Sequence, residues 1–366
     1  MVYETFDRME EFVAKAFVAA GVPPEDAKVC ADVLIESDKR GIDSHGVGRF
    51  KPIYIDRIKD GIQQPITKFE IVRESPTTAV VDGHHGMGQV ISKRCMTMAI
   101  EKAKKYGLGM VAVRNSTHYG IAGYYVTMAS SVGMIGITGT NARPSQAPTF
   151  GVENILGTNP LTVGLPTDED FPFVLDCASS ITQRGKIEHY ARINKPMPEG
   201  WVIDNAGRPV TDPEAALKGF GTGACALAPL GGIGEELGGY KGYGYAVVVE
   251  ILSAALQSGM FLKALSGTGP DGEKRPYGLG HFFIAIDINA FVDVEDFKRT
   301  TGDILRELRA SAKAEGESRI YTAGEKEYLA YLERKETGIP INAAVQKAMQ
   351  DARDELKVDF KFAWEN

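Results

Sequence analysis

The sequence predicts a layered α/β fold, and the order of its elements carries that prediction. Short apolar runs alternate with segments of helical periodicity along most of the chain, and elements in that order bury their apolar faces against one another in layers. The length of 366 residues is enough for about two domains, each with its own core. No internal repeat is visible.

The elements follow in order. Residues 5–20 place Phe6, Met9, Phe12, Val13, Phe17 and Val18 at helical spacing and stop at Gly21. Pro23-Pro24-Glu25-Asp26 opens a second helix that runs to about Arg40. A strand is expected over residues 78–81, then a glycine-rich turn holding His84 and His85, then a helix over 91–106. Strands at 109–113 and 134–138 flank a helix at 122–132, and strands at 161–165 and 173–176 pair around the acidic turn Thr167-Asp168-Glu169-Asp170. A helix is expected from Ser179 to about Ile193, a loop over 196–213, and a buried helix from Gly242 to Gly259 whose Val247, Val248, Val249 and Leu252 are apolar nearly all round. A strand at 281–287 and helices near 294–312 and 342–356 complete the chain.

Composition narrows the function. Acidic residues outnumber basic ones, 48 to 41, for a formal charge of −7, which argues against a nucleic-acid partner. No apolar run approaches the ~20 residues that cross a bilayer, and no secretory leader pattern opens the sequence. The four cysteines form no C-x-x-C pair, so zinc and a disulfide framework are not expected, and the expected compartment is a reducing cytoplasm. The six histidines include no H-E-x-x-H, which removes the commonest metal-hydrolase signature.

Two histidines sit in compact polar motifs. Ser44-His45-Gly46-Val47-Gly48-Arg49 follows the second helix, and Asn115-Ser116-Thr117-His118-Tyr119 follows the apolar run Met110–Val113. Histidine exchanges a proton near neutral pH, and an adjacent arginine and hydroxyl suit an anionic substrate. Gly267-x-Gly269-x-x-Gly272 matches a dinucleotide fingerprint as a string, yet it follows a helix rather than a strand, so the fingerprint is rejected. Asp176-Cys177-Ala178-Ser179-Ser180 lies at a strand-to-helix junction, where small residues and free N–H groups admit phosphate oxygens. Lys241 is surrounded by glycines and can meet a phosphate or carboxylate as a point charge.

Taken in order, Ser44-His45-Gly46, Asn115-Ser116-x-His118, Gly157-Thr158-Asn159-Pro160, Asp176-x-Ala178-Ser179, Gly185-Lys186 and Lys241-Gly242-Tyr243-Gly244 resemble the non-Rossmann malate/L-lactate dehydrogenase family. The resemblance runs through nearly the whole chain. It implies a three-layer α/β/α fold with a mixed sheet, flanked by N- and C-terminal helices, and a homodimer with its site near the subunit boundary. It divides the chain into a substrate and dimerisation domain (1–113 with 288–366) and a cofactor domain (114–287). It implies hydride transfer between NAD or NADP and a 2-hydroxy acid, with malate the expected substrate and lactate, sulfolactate, ureidoglycolate or a cyclic imino acid as alternatives. A non-catalytic binding protein on the same scaffold is the alternative of another class. The family pattern places Ser44, His45, Arg49 and Tyr54 at the substrate and leaves His118 and His45 as alternatives for the acid/base, with Asp176 expected to orient a histidine or the cofactor amide. Asp176, Cys177, Ala178, Lys241, Gly242, Gly278, Leu279 and Gly280 fall at cofactor positions. The chain departs from the commoner pattern at Tyr240, where many members have His, and at Cys177, where many have Met.

Overall fold

The computed structural model describes residues 1–365. The chain opens with β1 (Val2–Glu4), α1 (Phe6–Ala19) and α2 (Pro24–Lys39), followed by a 3₁₀ turn (Val47–Arg49), a π-helical turn (Phe50–Ile55) and α3 (Asp56–Lys59). Next come β2 (Glu70–Glu74), β3 (Thr78–Asp82), α4 (Gly88–Tyr106), β4 (Leu108–Ser116), α5 (Ala122–Ser130), β5 (Met134–Thr140), β6 (Leu161–Leu165) and β7 (Phe173–Cys177). A smaller lobe follows with α6 (Arg184–Arg192), β8 (Val202–Asp204), α7 (Pro213–Thr222) and β9 (Cys225–Leu227). The chain then adds α8 (Gly239–Ala254), β10 (Leu279–Asp287), α9 (Val294–Ala310), α10 (Glu325–Thr337), β11 (Ile339–Ile341) and α11 (Ala343–Leu356).

Seven strands form one mixed sheet in the order β2-β3-β4-β10-β5-β6-β7. Neighbours are antiparallel except β3 and β4, which are parallel and joined by α4. Helices α4 and α5 cover one face and α8 the other, which makes the three expected layers. A single parallel pair rules out the doubly wound nucleotide fold, whose sheet is mostly parallel. The core between the sheet and α4 and α5 is closed by Val81, Ile91, Val111, Val113, Tyr125 and Phe283, all fully or nearly fully buried.

A second core joins the two ends of the chain. Phe12, Phe17, Phe50 and Tyr54 pack with Phe362, and the Phe12 and Phe362 rings lie 4.7 Å apart, edge to face, a favoured aromatic geometry. Strand β1 pairs with β11, Val2 opposite Ile341. Arg334 of α10 reaches back to donate to the Asp38 carbonyl at 2.6 Å and the Asp43 carboxylate at 2.5 Å. The C-terminal elements thereby clasp the loop that follows α2.

Four expectations change. The helix expected from Ser179 begins at Arg184, because the Ser179 N–H bonds the Thr158 carbonyl (2.9 Å) and the Ile181 N–H the Ala228 carbonyl (3.0 Å), drawing the segment into a loop. The expected loop at 196–213 contains β8, paired antiparallel with β9. Helix α8 is apolar nearly all round but is buried on one side only; Tyr245, Val248 and Ile251 are exposed. The division expected at residues 113 and 114 falls inside β4, which hydrogen-bonds to β10 across it in one continuous sheet.

Candidate functional site

Strands β4, β5 and β7 end, and β6 and β10 begin, at the same end of the sheet. A cavity of about 260 Å³ opens there, lined by His45, Arg49, His118, Asn141, Asp176 and Leu279 among others. The two histidines come from different layers: His45 from the loop after α2, His118 from the end of β4.

Local sequence explains the placement of His118. Asn115 leaves β4 at φ +51°, which asparagine tolerates, and its amide donates to both Asp82 carboxylate oxygens at 3.1 and 2.9 Å. Thr117 then donates its hydroxyl to the Gly86 carbonyl (2.7 Å) and accepts from the Gly88 N–H (3.0 Å). A Cβ on Gly88 would stand 2.5 Å from the His118 carbonyl oxygen. Only glycine lets the start of α4 approach this closely.

On the other side, Ser44 Oγ lies 2.9 Å from His45 Nδ1. The buried Asp38 carboxylate accepts the Val47 N–H at 2.8 Å, and a Cβ on Gly46 would overlap that carboxylate at 2.0 Å. Burial pushes the Asp38 carboxyl well up.

The imidazole rings of His45 and His118 are 5.8 Å apart and nearly parallel, 17° between planes. Burial and Arg49 hold the His45 pKa down to about 4. Burial, with the charges of His45, Arg57 and Arg49, holds His118 well below the usual histidine range. Both rings are therefore neutral at pH 7 with the site empty of anions. Tyr54 Oη lies 2.7 Å from His118 Nδ1, and the Gly120 N–H donates to the same nitrogen at 3.3 Å. An N–H pointing at Nδ1 makes it the lone-pair nitrogen, so the neutral ring carries its proton on Nε2. Among the described residues Nε2 has no partner.

Arg49 donates Nε–H to the Ser44 carbonyl at 2.6 Å. It has no carboxylate partner among the described residues, which leaves its terminal nitrogens for a ligand. Tyr54, expected at the substrate, is instead fully buried behind His118, its ring edge-on to Phe17 at 5.9 Å. Burial raises its pKa far above the phenol range, so it stays a neutral hydroxyl.

Asp176 does not bond to a histidine. Its carboxylate accepts the Gly123 N–H (2.7 Å) and the Thr162 hydroxyl (3.0 Å), and burial raises its pKa. It lines the histidine cavity and two adjoining ones, of about 240 and 420 Å³. Ala178 lines the histidine cavity and Cys177 the neighbouring one. Leu279 also faces the histidine cavity, and its glycine neighbours make close packing contacts. A Cβ on Gly280 would lie 1.6 Å from the Ser253 carbonyl oxygen, and one on Gly278 2.6 Å from Met260 Sδ. Gly242 is likewise a contact of α8 with Leu230, and Lys241 is exposed on the first turn of α8 with its ammonium 5.7 Å from the Tyr240 ring.

Sequence reasoning missed Asn141, whose Oδ1 accepts the Gly280 N–H (2.8 Å) while its amide donates to the Met260 carbonyl (3.1 Å). Its one signal was a polar residue at the end of an apolar strand. No group of three or more metal-ligating side chains occurs among the described residues, and no helix among them is long and apolar enough to cross a membrane.

Known proteins are similar to the chain over nearly its whole length. Residues 5–350 match the family model described as malate/L-lactate dehydrogenase. The chain is 44% identical to malate dehydrogenase from Pyrococcus horikoshii over 353 residues, which is 96% of this chain and 95% of that one. It is 41% identical to L-sulfolactate dehydrogenase from Methanocaldococcus jannaschii over 341 residues, 93% of each. The crystal structure of malate dehydrogenase from Entamoeba histolytica superposes with a TM-score of 0.95 at 45% identity, covering 98% of this chain and 99% of that chain.

Proposed function

Because the chain belongs to the malate/L-lactate dehydrogenase family, it is a 2-hydroxyacid dehydrogenase, and we propose that its substrate pair is malate and oxaloacetate. The observation that supports this most is the convergence of an open His118 Nε2, a neutral His45 and an unpaired Arg49 on one cavity. An arginine fork grips a carboxylate in two parallel hydrogen bonds, and a histidine beside it moves the hydroxyl proton.

His118 is the acid/base in this reading. A bound dianion offsets the burial and the repulsion from His45, Arg57 and Arg49 that keep the ring neutral, so substrate draws a proton onto it. The resulting imidazolium gives its Nε2 proton to the C2 oxygen as oxaloacetate is reduced and is left with its proton on Nδ1, donated to Tyr54 Oη; in the reverse direction that Nδ1-protonated ring takes the malate hydroxyl proton on Nε2. The Tyr54 hydroxyl can donate to Nδ1 or accept from it, so the ring keeps a partner in either state. His45, fixed by Ser44, stays neutral and lines the substrate side.

The nicotinamide cofactor, when bound, supplies the hydride. Asp176, Cys177, Ala178 and Leu279 would hold it. The fit rests on Asp176, which stands where three cavities meet, so a long ligand can cross residues 176–178 with one end at the histidines. NAD suits the site better than NADP. The cavity behind Asp176 carries Glu36, Asp170 and Glu327, and its Arg40 is already paired with Glu36 at 2.9 Å; carboxylates accept from ribose hydroxyls and repel a 2′-phosphate. The exposed apolar face of α8 supports a homodimer. Four unpaired cysteines suit a reducing cytoplasm.

The test is NADH and NADPH oxidation by purified protein with oxaloacetate, pyruvate and sulfopyruvate in turn. Fast turnover of oxaloacetate with NADH is expected. Preference for pyruvate or sulfopyruvate overturns the malate assignment, and preference for NADPH overturns the cofactor assignment.

A further inference from the structure

We propose that Glu250 is a positioning residue for the nicotinamide cofactor, its buried carboxylate tying together the two segments that carry Ala178 and Leu279; this rests on the reading that those residues hold the cofactor. Glu250 lies in α8 and is buried. No cation pairs with it among the described residues. Both of its carboxylate oxygens instead accept N–H groups, one from each of two loops that meet at α8.

The first loop is the turn before β6. The Asn159 amide donates to Glu250 Oε2 at 2.7 Å and to the Ala246 carbonyl at 3.0 Å, so both of its hydrogens are spent on α8. Asn159 is fully buried at φ +34°, a conformation that asparagine tolerates. Its neighbour Thr158 is fixed with it. The Thr158 carbonyl accepts both the N–H and the hydroxyl of Ser179 at 2.9 Å, and Ser179 directly follows Ala178. Thr158 and Ala178 both line the histidine cavity.

The second loop follows α8. The Leu262 N–H donates to Glu250 Oε1 at 2.8 Å. Leu262 has φ +50°, a strained conformation for leucine that persists only where its surroundings hold it. Two residues earlier, the Met260 carbonyl accepts the Asn141 amide at 3.1 Å, and Asn141 Oδ1 accepts the Gly280 N–H at 2.8 Å. Gly280 adjoins Leu279, and Asn141 and Leu279 both line the cavity. One carboxylate thus sets the spacing of the two segments, with two asparagine amides as the links.

A buried carboxylate without a cation is costly. Glutamine would avoid the charge, but it has one acceptor oxygen and would turn its NH₂ toward the other donor. The carboxylate accepts from both loops at once.

The test is NADH binding to purified wild type and Glu250→Gln, read by fluorescence with no second substrate present and with Tm measured on the same samples; NADPH is the probe if wild type prefers it. The Kd should rise about 5- to 50-fold in the variant, the scale of one buried hydrogen bond, and KM for oxaloacetate should change less than KM for the cofactor. Ile100→Ala controls for stability alone. It opens a cavity in the core under α4, about 18 Å along the helix from Gly88, and should lower Tm while leaving the Kd unchanged. Asn159→Gly keeps the left-handed φ accessible and cuts the link to Thr158; it should raise the Kd in the same direction and serves if Glu250→Gln does not fold. An unchanged Kd in Glu250→Gln, or a rise that Ile100→Ala matches at equal loss of Tm, overturns the Glu250 assignment. Wild type that binds neither NADH nor NADPH overturns the cofactor reading instead, so the two failures are distinct.

Discussion

The hydroxyl of Tyr54 lies 2.7 Å from Nδ1 of His118, so a fully buried phenol at the end of a π-helical turn governs which nitrogen of the histidine faces the cavity. The ring of Tyr54 is held independently by Phe17. Tyr54→Phe should therefore fold, at a cost of about 1 kcal/mol for one lost hydrogen bond. Its kcat should fall about 10- to 100-fold with little change in KM, because the proton-transfer geometry is loosened while the substrate contacts remain. Steady-state kinetics beside a thermal melt separate the two effects.

The histidines should respond unequally. In the proposed mechanism His118→Asn removes the acid/base, and kcat should fall about 10²- to 10⁴-fold. His45→Gln keeps a group able to bond Ser44 and should cost less than about tenfold. A larger loss in the His45 variant would reverse the two roles.

Depressed histidine pKa values have a signed consequence for stability. His45 titrates at about 4 in the folded protein against 6.5 as its ordinary value, so between those values the unfolded chain binds the extra proton. Folding stability contributed by neutral His45 is intact above about pH 6.5 and declines as pH falls toward 4, by up to about 3 kcal/mol. The raised carboxyls of Asp38, Asp176 and Glu250 act with the opposite sign in the acid range. The histidine effect is isolated by the difference in Tm between His45→Gln and wild type, which should move in favour of the variant as pH falls from 7 to 4.

Gly46→Ala tests the anchoring of the His45 loop. Its Cβ would overlap the Asp38 carboxylate, so the loop must shift. A stability loss of about 1–3 kcal/mol is expected, with reduced kcat because His45 moves. Chemical denaturation and kinetics on the same sample check both.

Val248→Asp places a charge on the exposed apolar face of α8. If that face closes a homodimer, the variant should sediment as a monomer where wild type sediments as a dimer. A wild-type monomer refutes the dimer directly.

The histidine motifs were legible because each follows a well-patterned element, and the ends of α2 and β4 lie within a few residues of where periodicity puts them. The role of Tyr54 was not. Its partner is remote in the chain, and no local pattern marks a residue that acts through another. The glycines at 242, 278 and 280 are ambiguous for a different reason: a glycine that admits a backbone contact and one that admits a ligand look identical in sequence. Strand β2 was invisible because all five of its residues are exposed at the sheet edge and show no alternation, while β1 and β11 are three residues each, too short for any period.

The clasp of Arg334 on Asp38 and Asp43 also sets a timetable. The sheet can pair from residue 70 to residue 287 without α10, yet the loop carrying His45 is closed only when α10 docks on it. The loop that carries His45 is therefore completed by a residue 296 positions farther along the chain than Asp38, and a nascent chain lacks this clasp until α10 has been synthesised.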